Sequence, residues 1–383
     1  MSKKCNHIII WIDLFLFTAC RHPYDSPAIP GNDRALVVDG FINANAGAIT
    51  TINLRRLQDL SRSDSLLPEK NAVIFIEGKN CESFALVEDS AGSYTSDPLT
   101  LNLYSSYRLD ISTADGNRYL SDFVMAKKTP PIDSLNWHQN SDVTIYVNTH
   151  DPLDSTRYYR WEYSETWNYR SAYSSLWSVK NQRIYFKDSL TQTDSCWRSS
   201  SSTDIITGNS LALSQDVITQ YPVSTVPVNS EKISNRYSIL VKQYALNKDA
   251  YGFYEILKKN TQQTGSLFDP QPSILPSNIH CITNPGDLVV GYISASTMEE
   301  KRLFINESEV TWNYAGVAPD CSSITVKPNF PDSSLFTYPD TTFTPYYFYN
   351  DPPPFGPLYM VIIRKPCTEC TYYGGTNVKP SFW

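Results

Sequence analysis

From Arg157 to Tyr173 the chain reads RYYRWEYSETWNYRSAY, with aromatic side chains at positions 159, 161, 163, 167, 169 and 173. The even positions between them carry Arg160, Glu162, Ser164, Thr166, Asn168 and Arg170. Successive side chains of a strand point to opposite faces, whereas a helix would scatter these rings around its axis. The segment therefore reads as a long amphipathic strand, or as one with a bend near Glu165. Its stripe of Trp161, Tyr163 and Trp167 is expected to be buried in a sheet-on-sheet core rather than to form a binding platform.

The same period recurs upstream. Ala35 to Ile42 and Ala48 to Leu57 flank a turn-rich NANAG, and AVIFIEG (72–78) and SFALVED (83–89) continue in kind. In YRLDISTADGNRYLSDF, Tyr107, Leu109 and Ile111 share one face and Asp115-Gly116 supply a hairpin turn. Six or seven short strands without a helical period predict an immunoglobulin-like β-sandwich over residues 35–128. KKTPPID (127–133) closes it as a linker, because Pro-Pro cannot continue a central strand. Residues 129–383 form a second β-rich domain of the same sandwich type, elaborated with one long helix and long Pro/aromatic loops. The helix is expected at about 247–263, where Ala250, Phe253, Tyr254 and Leu257 share a face and Asn247 is the N-cap. A loop region is expected over 328–357. There Tyr346, Tyr347 and Tyr349 are candidate contacts for a partner or ligand, because functional residues concentrate on loops. The 26 Tyr and 25 Pro against 15 Gly fit this mainly β reading.

The N-terminus has the parts of a secretory signal: Lys3 and Lys4, the apolar run Ile8 to Phe17, and small residues Thr18-Ala19. Cys20 follows directly, as at a bacterial lipidation site. Residues 1–19 are thus expected to be a lipoprotein signal peptide, Cys20 the acylated residue, and residues 20–34, with Pro23, Pro27 and Pro30, a tether. The net charge of −7 carries no basic block, which excludes nucleic acid as an expected partner.

Six cysteines remain after Cys5 and Cys20: Cys81, Cys196, Cys281, Cys321, Cys367 and Cys370. An exported chain meets an oxidising compartment, so pairing is the default, with Cys196, Cys281, Cys321, Cys367 and Cys370 the disulfide candidates. CTEC at 367–370 is a C-x-x-C, yet it lacks the second ligand pair of a zinc ribbon and the βαβ context of a redox site. No nucleophile elbow, zincin motif, P-loop or dinucleotide fingerprint occurs in the sequence. The expectation is a non-enzymatic protein without cofactor or metal.

CRHPYDSP, ALVVDGFIN, PPIDSLNW, RYYRWEYSETWNY, RYSILVKQYALNKDAYGFYEILKKNTQQTGSLFDPQPS, GYISASTMEEKRLFI and CTECTYYGGTNVKPSFW together resemble domain-of-unknown-function family 4249. Its members are lipoproteins of Bacteroidota encoded beside SusC-type TonB-dependent transporters. The resemblance runs from Cys20 to Trp383 and implies an outer-membrane, lipid-anchored protein facing the cell surface. It further implies an accessory or substrate-binding cap of such a transporter in nutrient uptake. A stand-alone surface adhesin or glycan/peptide-binding lipoprotein is the alternative. Arg21 and His22 stand where surface-exported members often carry acidic residues.

Overall fold

The computed structural model describes residues 35–57, 66–180, 183–188, 193–262, 275–312, 321–326, 342–351, 353–354, 356 and 358–383. The protein is mainly β, with one α-helix among these residues. Alternate side chains of each N-terminal strand build the first core: Leu36 and Val38, Ile52 and Leu54, Ile74 and Ile76, then Tyr107, Leu109 and Ile111, all buried. The Ser106–Ser112 and Arg118–Ser121 strands form the expected hairpin. Its turn works because Gly116 adopts a φ of +86° and Asp115 accepts from the Asn117 amide at 3.1 Å.

The first sheet does not end where the sequence suggests. Its outermost strands are Ile279–Cys281, paired with Arg118–Ser121, and Val289–Val290, paired in parallel with Leu36–Gly40. One late segment therefore supplies both edges, and its two strands lie against each other, curling the sheet toward closure. Ala295–Ser296 adds a parallel pair with Ile42–Asn43. Residues 279–296, read from sequence as part of the second region, thus complete the first core, to which Ile279, Val289, Ile293 and Ala295 belong.

The second core lies between two sheets. One consists of Ile132–Gln139, Val143–His150 and Val217–Val226; the other places Ser195–Ser201, Tyr158–Arg170, Arg236–Leu246 and Met298–Asn306 side by side, with Ile206–Asn209 also pairing with Tyr158–Arg170. The long aromatic strand is unbroken: Tyr158 to Asn168 pairs with Leu246 to Arg236 without a register shift. Tyr159, Trp161, Trp167 and Tyr169 are buried and Tyr163 is half-buried, as the period requires. Trp161 stacks on Tyr221 at 4.9 Å and packs over Gly208, where a Cβ would meet its ring at 2.8 Å. Glu165 shares this face and needs no bend. Its carboxylate pairs with Lys232 and accepts from the Tyr237 hydroxyl at 2.9 Å, which satisfies a charge that is otherwise costly to bury.

The polar face of the same strand is covered at both ends. Helix α1, Lys248–Gln262, starts where Asn247 Oδ1 accepts from the Ala250 amide at 2.7 Å, an N-cap, and buries Ala250 and Phe253. Its Tyr254, with Tyr244, sandwiches the Arg160 guanidinium at 4.6 Å from each ring. At the other end Arg302 lies 3.6 Å from the Phe382 ring, and Arg236 lies 4.3 Å from Phe304 and 5.5 Å from Trp383. The final KPSFW segment is thus part of the fold.

The Pro-Pro linker is fastened rather than free. The Lys127 amide donates to the Ala295 carbonyl (3.0 Å) and the Thr297 amide to the Lys127 carbonyl (2.9 Å). The fully buried Gln243 amide group accepts from Trp161 Nε1–H (2.8 Å) and donates to the Pro130 carbonyl (2.8 Å) and to Thr149 Oγ1 (2.9 Å).

Two loops at one end of the second sandwich are stitched together. Asp151 accepts from the Leu153, Ser155 and Thr156 amides and from both hydroxyls. Asp216 accepts from the Arg157 amide, the Tyr159 hydroxyl and Ser210 Oγ. Arg157 donates to the carbonyls of Ser210, Leu213 and Ser214. Burial opposes ionisation of Asp151, but the donors from Ser155, Leu153 and Thr156 outweigh it and hold the carboxyl at about 2.

Two outcomes are expected. Gln243→Leu strands three buried polar partners and should cost about 2–4 kcal/mol in urea melts at pH 7; a cost near zero would show that the linker is not held here. Asp151 has a folded pKa below its unfolded one, so its contribution is complete above the unfolded value and fades as pH falls through the folded value. Asp151→Asn should therefore cost about 2 kcal/mol at neutral pH. That gap should close between pH ~4 and ~2, and a gap independent of pH would refute the assignment.

Candidate functional site

Residues 343–350, expected in a loop, form instead the strand Phe343–Asn350, an edge of a three-stranded sheet with Leu358–Arg364 in the middle and Ser323–Val326 on the far side. The strand forms because Tyr and Phe favour a pleated surface, and because an edge tolerates Pro345, whose missing N–H would break a central ladder. The alternation was hidden in the sequence because rings occupy both faces. The register shifts between Pro345 and Tyr347, so Tyr346 sits in a bulge. Residues 327–341 lie outside the described residues, as do Cys20 and the tether.

The three candidate tyrosines divide between two faces. Tyr346 is half-buried, edge-on to Tyr173 at 5.5 Å. Beside it Trp177 packs edge-on between Phe348 (5.1 Å) and Phe186 (5.5 Å), which seats the Trp177–Lys180 and Arg183–Phe186 hairpin on the sheet. Tyr347 and Tyr349 remain 48% and 37% exposed. Their rings are 6.1 Å apart, and Tyr349 stacks on its cross-strand partner Tyr359 at 5.5 Å. The result is a ladder of three tyrosines held by one another, so little rotamer entropy is left to lose on docking. Tyr359 and the Trp177–Phe186 hairpin were not singled out from sequence. Only the alternation of LWSVKNQRIYF signals the hairpin.

Disulfides fix this sheet. Cys321–Cys367 ties the start of one strand to the end of the middle one, and Cys196–Cys370 joins the segment to the second core, where Cys196 and Cys370 are fully buried. The C-x-x-C cysteines thus bond outward to different partners rather than to each other. Cys281, a disulfide candidate from sequence, is free and buried, and Cys81 is free and exposed. Three strand steps separate their elements, about 14 Å at the usual spacing and beyond disulfide reach. Among the described residues no group of three His, Cys, Asp or Glu side chains is placed to hold a metal ion. What the surface can do is stack flat groups and bury apolar ones.

The family model described as Domain of unknown function (DUF4249) matches residues 21–302. No curated protein matches the chain. Among solved structures, a DUF4785 family protein from Legionella pneumophila is similar at 9% identity and a TM-score of 0.21, over 54% of this chain and 51% of that one. The chain thus spans about half the length of that protein. The BSP domain of a biofilm associated protein is similar at 8% identity and a TM-score of 0.13, over 72% of this chain and 60% of that one. Neither likeness carries an argument about fold or function.

Because Cys196–Cys370 closes a loop of 174 residues, replacing both cysteines by Ala should cost about 3–5 kcal/mol in non-reducing urea melts. The wild type treated with reductant loses Cys321–Cys367 as well and should fall at least as far. An unchanged midpoint would mean that the tyrosine sheet does not depend on this bond.

Proposed function

The chain belongs to the DUF4249 family, and we propose that it is a non-enzymatic outer-membrane lipoprotein, the binding or capping partner of a TonB-dependent transporter in nutrient uptake. The observation that carries the binding role is the ladder Tyr347, Tyr349 and Tyr359. Tyr347 and Tyr349 are exposed, Tyr359 beside them is half-buried, and the three rings pack on each other instead of filling a core, which is the form of a preorganised contact. The membrane role is supported by the apolar run Ile8 to Phe17 ending at Cys20 and by the tether behind it. A surface-anchored glycan- or peptide-binding adhesin is the second reading, favoured by the flat tyrosine faces, on which sugar rings stack.

Purification in mild detergent tests this directly. A transporter should copurify in stoichiometric amount, and mass spectrometry should find the mature N-terminus at an acylated Cys20. Cys20→Ser should leave the precursor uncleaved or release the protein into the soluble fraction. Tyr347→Ala with Tyr349→Ala should lower the yield of copurified partner and shift Tm by less than about 2 °C, as expected for exposed side chains. Trp161→Ala should unfold the protein. A monodisperse monomer that binds glycan arrays would favour the adhesin, and loss of fold in the tyrosine variants would remove the ladder as a contact site.

A further inference from the structure

The stitched loops of the second sandwich present an apolar surface that nothing in the fold uses. Leu153 is 81% exposed, and Leu211 and Leu213 are 56% and 54% exposed. Pro152 and Ala212 beside them are exposed as well. Exposed leucines on a floppy loop would mean little. These loops, however, are held by the carboxylates of Asp151 and Asp216 and by the Arg157 guanidinium on three loop carbonyls. The backbone also holds Asp154 and Arg157 at φ values of +51° and +61°, which non-glycine residues seldom adopt. A scaffold of this kind keeps leucines outward when collapse would bury them.

We propose that the paired tips, Leu153 and Leu211 with Leu213, insert into the surface of the bilayer to which the chain is anchored. Composition favours lipid over a protein. Protein contacts are anchored by Trp, Tyr and Arg, with Leu and Ser under-represented, and the tips are Pro, Leu, Ala and Ser. The tyrosine surface on the small sheet has the opposite character. From Pro152 to Leu153 and from Ser210 to Gln215 no side chain is charged, and the adjoining Asp154 carboxylate is paired with Arg157 at 3.5 Å, so shallow insertion to the headgroup boundary leaves no charge without a partner. Reach also permits it. The 15 residues from Cys20 to Ala35 span at most about 50 Å. A folded body of this size has a radius of gyration of about 20 Å, so the anchor does not hold the tips away from the membrane. The proposal rests on the lipid-anchor reading for its membrane, and the second contact would fix the orientation of a body that a tether alone leaves free.

Flotation with vesicles of phosphatidylethanolamine and a minority of phosphatidylglycerol separates the two. The mature chain carrying Cys20→Ser cannot be acylated, so its binding reports the tips alone. It should float with the vesicles, and the variant Leu153→Ser, Leu211→Ser, Leu213→Ser should bind at least about tenfold more weakly with an unchanged melting curve. Flotation that the triple substitution leaves unaltered would overturn the proposal, as would no flotation at saturating lipid. Flotation only when outer-membrane proteins are reconstituted into the vesicles would also overturn it, and would assign the tips to a protein. Flotation of the Cys20→Ser chain, together with an unacylated native N-terminus, would sink the anchor reading and leave the tips standing.

Discussion

The buried amide of Gln243 holds together parts that would otherwise be independent. One side chain receives the Trp161 indole N–H and gives its protons to the linker carbonyl of Pro130 and to Thr149 of the facing sheet. The long strand, the opposite sheet and the passage between the two cores are thereby set at one point. An apolar residue of equal size would pack as well but could not hold these three groups at once. The neighbouring Thr129 adds bonds to Thr297 and to the Ala245 amide, so the junction is a ribbon of paired chain.

Around that point the long strand is used on both faces. Its odd face supplies rings to the core and, at Glu165, a carboxylate that is paired rather than exiled. Its even face is capped by α1 at one end and by Phe382 and Trp383 at the other, each through an arginine lying on aromatic rings. Stacking on rings helps keep these charged side chains under cover, and Arg160 also pairs with Glu162 at 2.8 Å. The same economy makes the small tyrosine sheet stiff: two disulfides and a hairpin hold it, and the ladder lies on its outside.

Much of this was legible in the residues. Period two located the strands and placed Trp161 and Trp167 in a core; the Asp115-Gly116 pair marked the hairpin turn, and the helical spacing of Ala250, Phe253, Tyr254 and Leu257 marked the helix behind the Asn247 cap. Tyr346 to Tyr349 was misread because a strand with rings on both faces shows no period in hydrophobicity. Pro345 looked like a loop signal when it marked an edge. Cys281 was misassigned because pairing depends on strand order, which local pattern does not carry. The return of residues 279–296 to the first sheet was invisible for the same reason. Short parallel pairs such as Leu36 with Val289 leave no local trace.

That return has a consequence for how the chain comes to fold. The first sheet keeps both edges open until residues 279–290 arrive, after all of residues 129–278 have been made. At about 5–20 residues per second the wait is on the order of ten seconds or more. Its contacts are far apart in sequence, which makes folding slow, and an open edge can pair with the same edge of a second copy. A chain emerging from its N-terminus therefore passes through a long interval in which its first third is nearly complete and adhesive. Such a chain calls for something to hold those edges until the late strands close them.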